Sequence, residues 1–241
     1  MRKLFIAAAV SAAALQVAVP AANAAEDCCL RITPYLWAMG INGDLKADGR
    51  RVDVSYDFSD IVEHMNVGGS VLVDLNKGDW VSYLQVDYLS MSEKKAHTDL
   101  GVKVDLDAYS TLGAAATGWR FALGERHSID VMAGVRYMNL DTELDAHSAG
   151  TNHSNDKVYD GMVALRPRFA LSKYWSFTGL AAVGTGDSDL SWELSPQFVY
   201  DCCGWDFRVG YRTVNYEFEG GKDDKADIDI SGPMVGVGFT F

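Results

Sequence analysis

Alternation with period two is the feature that most constrains this chain. In Trp205-Asp206-Phe207-Arg208-Val209-Gly210-Tyr211-Arg212 the aromatic and aliphatic residues hold one face, and Asp206, Arg208 and Arg212 the other. In Ser128 to Tyr137, Ile129, Val131, Ala133, Val135 and Tyr137 share a face opposite Asp130 and Arg136. Strands with two different faces produce this rhythm, and no sustained helical stripe competes with it after the first two dozen residues. The chain reads as all-β.

The first 24 residues stand apart. Arg2 and Lys3 precede an apolar run from Leu4 to Val19, Pro20 breaks it, and Ala22-Asn23-Ala24 has the small-x-small pattern of a cleavage site. Residues 1–24 are therefore expected to be a cleaved signal peptide, with 25–241 as one exported domain. Beyond them no apolar run reaches the ~18 residues of a spanning helix. Without Arg2 and Lys3, 19 basic residues face 33 acidic ones, a net charge of about −14. Bulk charge of this sign does not attract nucleic acid. No cofactor motif is present.

Ten strands are expected: 30–43, 67–75, 80–92, 103–121, 127–143, 157–171, 175–185, 190–201, 205–218 and 226–241. Tight turns alternate with long polar segments such as Glu93 to Val102 and Asp145 to Asp156. This is the pattern of a closed antiparallel transmembrane β-barrel of the outer membrane. Both chain ends on the periplasmic side require an even count, so eight and twelve are the alternatives. Arg51 to Phe58 alternates too and is assigned to the first outside loop, with Ser59 to Asn66 folding back.

Trp80, Trp119, Trp175 and Trp205 lie next to the tight turns, where a membrane girdle would hold indoles at headgroup level. At the C-terminus Val235, Val237, Phe239 and Phe241 alternate with Gly236, Gly238 and Thr240. Ile228 and Ile230 fall out of phase with Val235, which predicts a bulge at Gly232-Pro233.

Two stretches resemble a widespread group of small outer-membrane barrels, related in architecture to OmpW-like proteins. They are Thr33-Pro34-Tyr35-Leu36-Trp37 with Gly40 to Gly43 and Phe58 to Ile61, and Gly210-Tyr211-Arg212 with Gly232 to Phe241. The resemblance implies fold and outer-membrane location but no substrate. It also implies that the terminal Phe241 is an assembly signal read by the barrel-insertion machinery. Outer-membrane lipid and lipopolysaccharide are the other expected partners; the oligomeric state is left open.

The inward faces carry Asp74, Gln85, Asp87, Asp105, Asp107, Asp130, Asp160, Glu193 and Asp206, against Arg136, Arg166, Arg168, Arg208 and Arg212. These residues suit either a selectivity lining or a network of ion pairs filling the bore. A ring of about ten strands leaves little room, so a mostly plugged interior with at most a narrow water path is expected. His64, His97, His147 and His153 fall in outer segments with Ser148, Ser154 and acidic neighbours, but their spacing matches no metal or nucleophile motif. No metal ligands or catalytic residues are assigned. The expected function is a non-enzymatic barrel, structural or a narrow porin-like conduit; a rim enzyme or an adhesin acting through the outer loops is the alternative. Finally, Cys28-Cys29 and Cys202-Cys203 would meet below the membrane, which predicts a disulfide between the pairs in an oxidising compartment.

Overall fold

In a computed structural model the described residues are 28–47, 50–56, 58–59, 61, 65–97, 103–146, 150–202, 204–219 and 225–241. The expected signal peptide lies outside them, as do the side chains of 44–54, 62–67, 92–107 and 142–154, which carry His64, His97, His147, His153, Asp105 and Asp107. Fourteen strands are present among the described residues. They are β1 (Cys28–Trp37), β2 (Gly40–Ala47), β3 (Arg50–Tyr56), β4 (Met65–Lys77), β5 (Trp80–His97), β6 (Lys103–Ala122) and β7 (His127–Ala146). Then come β8 (Gly150–Ala170), β9 (Trp175–Thr178), β10 (Ala181–Gly186), β11 (Leu190–Leu194), β12 (Gln197–Cys202), β13 (Trp205–Glu219) and β14 (Lys225–Thr240).

These form ten staves, as the alternation implied. β1 and β2 keep one register along β14, Trp37 opposite Met234 and Gly40 opposite Ser231, so they are one stave with a two-residue break. β3–β4, β9–β10 and β11–β12 are likewise broken staves, and all pairings are antiparallel. The ring closes between β14 and the β1–β2 stave. Following paired residues around it from Arg31 returns to Gly43, twelve residues along the same stave. A shear of this size tilts the strands by about 40°. Arg50 to Tyr56, expected in an outside loop, pairs with β2 and so prolongs the second stave.

Two further expectations are corrected. The described parts of the polar segments Glu93 to Val102 and Asp145 to Asp156 are strand: β5 runs to His97, β7 runs to Ala146 and β8 starts at Gly150. A span needs about 9–11 residues, so strands of 18–21 residues continue well beyond the membrane. The bulge at Gly232-Pro233 is absent, because β14 pairs with β13 in one unbroken register from Glu219–Lys225 to Trp205–Phe239. Ile228 and Ile230 point inward together with Met234, Gly236 and Gly238, while Asp227 and Asp229 face outward. The pattern inverts because the surroundings do. At membrane level the wall is apolar outside; above it, water wraps the wall and the apolar residues turn inside.

The membrane band has aromatic residues at both edges. Near the short turns Trp80, Trp119, Trp175 and Trp205 are exposed. The Trp80 and Trp119 rings meet edge-on at 4.5 Å, and Trp175 and Trp205 flank Tyr200 at 5.2 and 6.3 Å. Toward the long-strand end Tyr88, Tyr109, Tyr159 and Tyr211 are exposed, and the Tyr137 ring packs on Tyr159 at 4.9 Å, the two planes tilted by 39°. Gly78, Gly124 and Gly204 adopt positive φ in the short turns, a conformation with little steric cost for glycine alone.

Candidate functional site in the barrel lumen

The inward faces of the staves bring the charged residues together in two tiers. The tier nearer the short turns starts at Arg31, which reaches Asp206 at 3.2 Å and Asp201 at 3.5 Å. Asp206 also accepts from Arg208 at 2.6 Å, and Arg208 lies 3.9 Å from Asp74. Arg166 bridges Asp74 and Asp130, and Arg120 closes the row with two bonds to Asp130 at 2.7 and 3.0 Å. Such forked guanidinium–carboxylate contacts are among the stronger polar interactions available. Gly238 makes room here: a Cβ at that position would run into the Asp206 carboxylate.

The second tier lies nearer the long-strand end. Arg212 donates to Glu193 at 2.8 Å and to Asp87 at 2.6 Å, and Arg136 donates to the other Glu193 oxygen at 3.0 Å. Tyr35 donates to Asp87 and accepts from Gln85 Nε2 at 2.6 Å. Glu193, Asp87, Arg136 and Arg212 are all at most 3% exposed. The Arg212 guanidinium also sits 4.3 Å from the centre of the Trp37 ring, a cation–π contact at the border with the apolar zone. Between the tiers is a void of about 30 Å³, lined by Tyr35, Tyr83, Gln85, Arg166, Arg168 and Arg208 among others. It is the size of about one water molecule.

Above the second tier the lumen is apolar: Leu89, Leu112, Met138, Val158, Val214, Tyr216 and Ile230 are buried together. Asp160 belongs to this level and accepts from the Ser188 backbone N–H at 3.0 Å and its hydroxyl at 2.6 Å, so an Asp–Ser bond takes the place of an arginine partner. Arg168 points into the bore, but no carboxylate lies within ion-pair distance of it among the described residues; Arg31, Arg120, Arg166 and Arg208 are its charged neighbours, with Asp74 the nearby acid. His127, at a short turn, accepts from Ala170 N–H and packs on Phe169. Phe241 is 74% exposed and its backbone pairs with Leu30. Cys29 is an exposed thiol lining the short-turn mouth, and Cys202 is half-buried; Cys28 and Cys203 side chains lie outside the described residues.

No family model matches the sequence, and no curated protein matches it. Solved structures match in shape. The outer-membrane protease OmpT of Escherichia coli is similar at 8% identity and a TM-score of 0.57, over 90% of this chain and 97% of that one. The attachment invasion locus protein Ail of Yersinia pestis is 10% identical with a TM-score of 0.42, over 90% of this chain and 100% of that one. The toluene transporter TodX of Pseudomonas putida is 9% identical with a TM-score of 0.39, over 89% of each chain. The chain has the fold of outer-membrane β-barrels. At these identities the likeness concerns fold alone.

Several members of the network carry no distinguishing mark in the sequence. Arg31 and Arg120 sit at stave ends next to turns, where charge reads as solvated. Tyr35 belongs to an aromatic cluster that gives no sign of which hydroxyl meets a carboxylate. The tyrosine row of the long-strand edge does have a signal in the sequence: each tyrosine stands on the apolar face at the point where polar residues begin.

Proposed function

We propose that this protein is a non-enzymatic, structural β-barrel of the outer membrane whose lumen does not conduct freely. The observation that carries the reading is the row of guanidinium–carboxylate pairs across the bore, capped by an apolar zone. Displacing either tier would strip partners from buried charges, Asp206, Asp74 and Asp130 in one and Asp87 and Glu193 in the other, and removing one member of a buried pair costs about 3–5 kcal/mol. The apolar band between two aromatic edges supports the membrane location, with the short turns in the periplasm and the long strands outside. The narrow porin-like conduit is the competing reading, since Arg168 has no carboxylate partner at the short-turn mouth among the described residues. Planar-bilayer recording separates them. The purified protein should give no steady ionic conductance, and regular open steps would overturn the closed-lumen reading. A proteolytic or lipid-editing rim has no described residues in its favour, and the comparison with OmpT carries fold only.

Two subsidiary proposals accompany it. Phe241 is the assembly signal, its side chain exposed for recognition beside the closing seam. Removing Phe241 should lower the amount of protein in the outer membrane several-fold while leaving the unfolding midpoint of the assembled fraction unchanged; an unaltered level rejects the idea. The second is a disulfide between the two cysteine pairs. The Arg31–Asp201 contact brings the residues flanking the two pairs together at the same rim. The link would close a loop of about 170 residues, with a chain-entropy contribution above about 4 kcal/mol. Peptide mapping without reductant decides it, four alkylated thiols being the outcome that rejects it.

A further inference from the structure

The tier nearer the short turns holds more guanidinium groups than carboxylates to bond them. Arg31, Arg120, Arg166, Arg168 and Arg208 share the row with Asp74, Asp130, Asp201 and Asp206, which leaves one positive charge over. All four acids are engaged by arginines other than Arg168. Asp74, the acid near Arg168, is bonded to Arg166. The Arg168 guanidinium makes no ion pair and no hydrogen bond among the described residues. The shortage of acceptors shows again at Arg208, a residue 4% exposed whose Nη2 meets no hydrogen-bond partner.

Arg168 faces a recess. A cavity of about 400 Å³ at the short-turn mouth is lined by Arg31, Asn76, Arg120, Arg168 and Thr240 among others, and no acid lines it. The chain neighbours Leu75, Trp119, Phe169 and Phe239 are exposed on the outer face, so these five side chains belong to the inner one. The recess therefore opens to the water at the mouth and not to the lipid around the wall.

Its walls are set for an anion. Arg31 Nε donates to Thr240 Oγ1 at 3.1 Å, and Arg120 Nη2 donates to Asn76 Oδ1 at 3.5 Å and to Asp130 at 3.0 Å. Thr240 and Asn76 act as acceptors in these bonds, which leaves the hydroxyl proton of one and the amide N–H of the other for a ligand. An oxyanion suits this set: its oxygens take a planar guanidinium fork in two parallel hydrogen bonds, and its charge offsets the surplus.

We propose that the recess at the short-turn mouth binds one small oxyanion, a phosphate or carboxylate group, on the fork of Arg168 with Arg31 and Arg120 beside it. This goes beyond the structural role and needs the barrel but not a closed bore, since conductance leaves the lining of the recess as it is. Titration calorimetry on the folded mature protein in an uncharged detergent tests it, with inorganic phosphate in one arm and acetate in the other, ionic strength being held with sodium chloride. Saturable binding of one anion per chain is expected in at least one arm, and that arm identifies the oxyanion. Arg168→Met removes the fork without depriving any acid of a bond, and it should abolish the binding. Asn76→Asp keeps an acceptor for Arg120 and adds the missing acid to the lining, so it should weaken the binding several-fold. Absence of saturable binding to the parent protein in both arms overturns the proposal, and so does unchanged binding in Arg168→Met. Should Arg168→Met fail to fold, the parent and Asn76→Asp decide it, an unchanged affinity in Asn76→Asp being the result that rejects the site.

Discussion

The two halves of the lumen obey opposite rules. At membrane level β13 turns Asp206, Arg208 and Arg212 inward and Trp205, Phe207, Val209 and Tyr211 outward. A few residues on, Val214 and Tyr216 are inside and Thr213 and Glu217 outside. The strand has not changed direction or register. What changed is the medium outside: hydrocarbon drives charge into the bore, where it must pair with charge, and water allows an ordinary apolar core. The lower half is thus held by polar partners that cannot be lost singly, and the upper half by packing.

That contrast can be broken by experiment. The largest effect is expected for Arg212→Leu, which leaves Glu193 with Arg136 and Asp87 with Tyr35 as their side-chain donors among the described residues. Loss of about 3–5 kcal/mol is expected, read as a lower urea midpoint for the heat-sensitive folded band on gels. Arg208→Leu should cost less than Arg212→Leu, because Arg31 still reaches Asp206 at 3.2 Å. Equal and negligible losses for both would mean a water-filled bore. Next comes Ile230→Ala in the upper half, where a cavity is left and no charge is orphaned; about 2–5 kcal/mol is the range for such a truncation. The smallest effect belongs to the outer surface. A double-mutant cycle on the Trp80–Trp119 pair should return a coupling of about 0.5–1.5 kcal/mol, and zero coupling would mean that lipid alone holds the two indoles.

The staves are legible in the sequence wherever each residue has only to choose a face. Trp205 to Arg212 shows why: hydrocarbon and lumen differ so strongly that alternation alone separates them. Legibility is lost where the environment changes along a strand. Ile228 and Ile230 imply a bulge only if the outside medium is constant, yet β14 is regular and the medium is what switches. It is lost again at Arg50 to Tyr56, whose pairing with β2 depends on how far the first hairpin extends beyond the membrane.

The sequence by itself determined the all-β class, the closed ring of about ten strands and the inward set of arginines and carboxylates, because side-chain period and solvent preference are local properties. Only the tertiary structure decided which charges meet. Arg212 and Asp87 are 125 positions apart, and Arg166 and Asp74 are 92 apart. Their heights in the bore follow from the twelve-residue offset at closure, a sum over ten registers that no single segment records. Only the tertiary structure also shows that, among the described residues, the pairing of the first two staves is interrupted between Tyr35–Ser70 and Ile41–Tyr56.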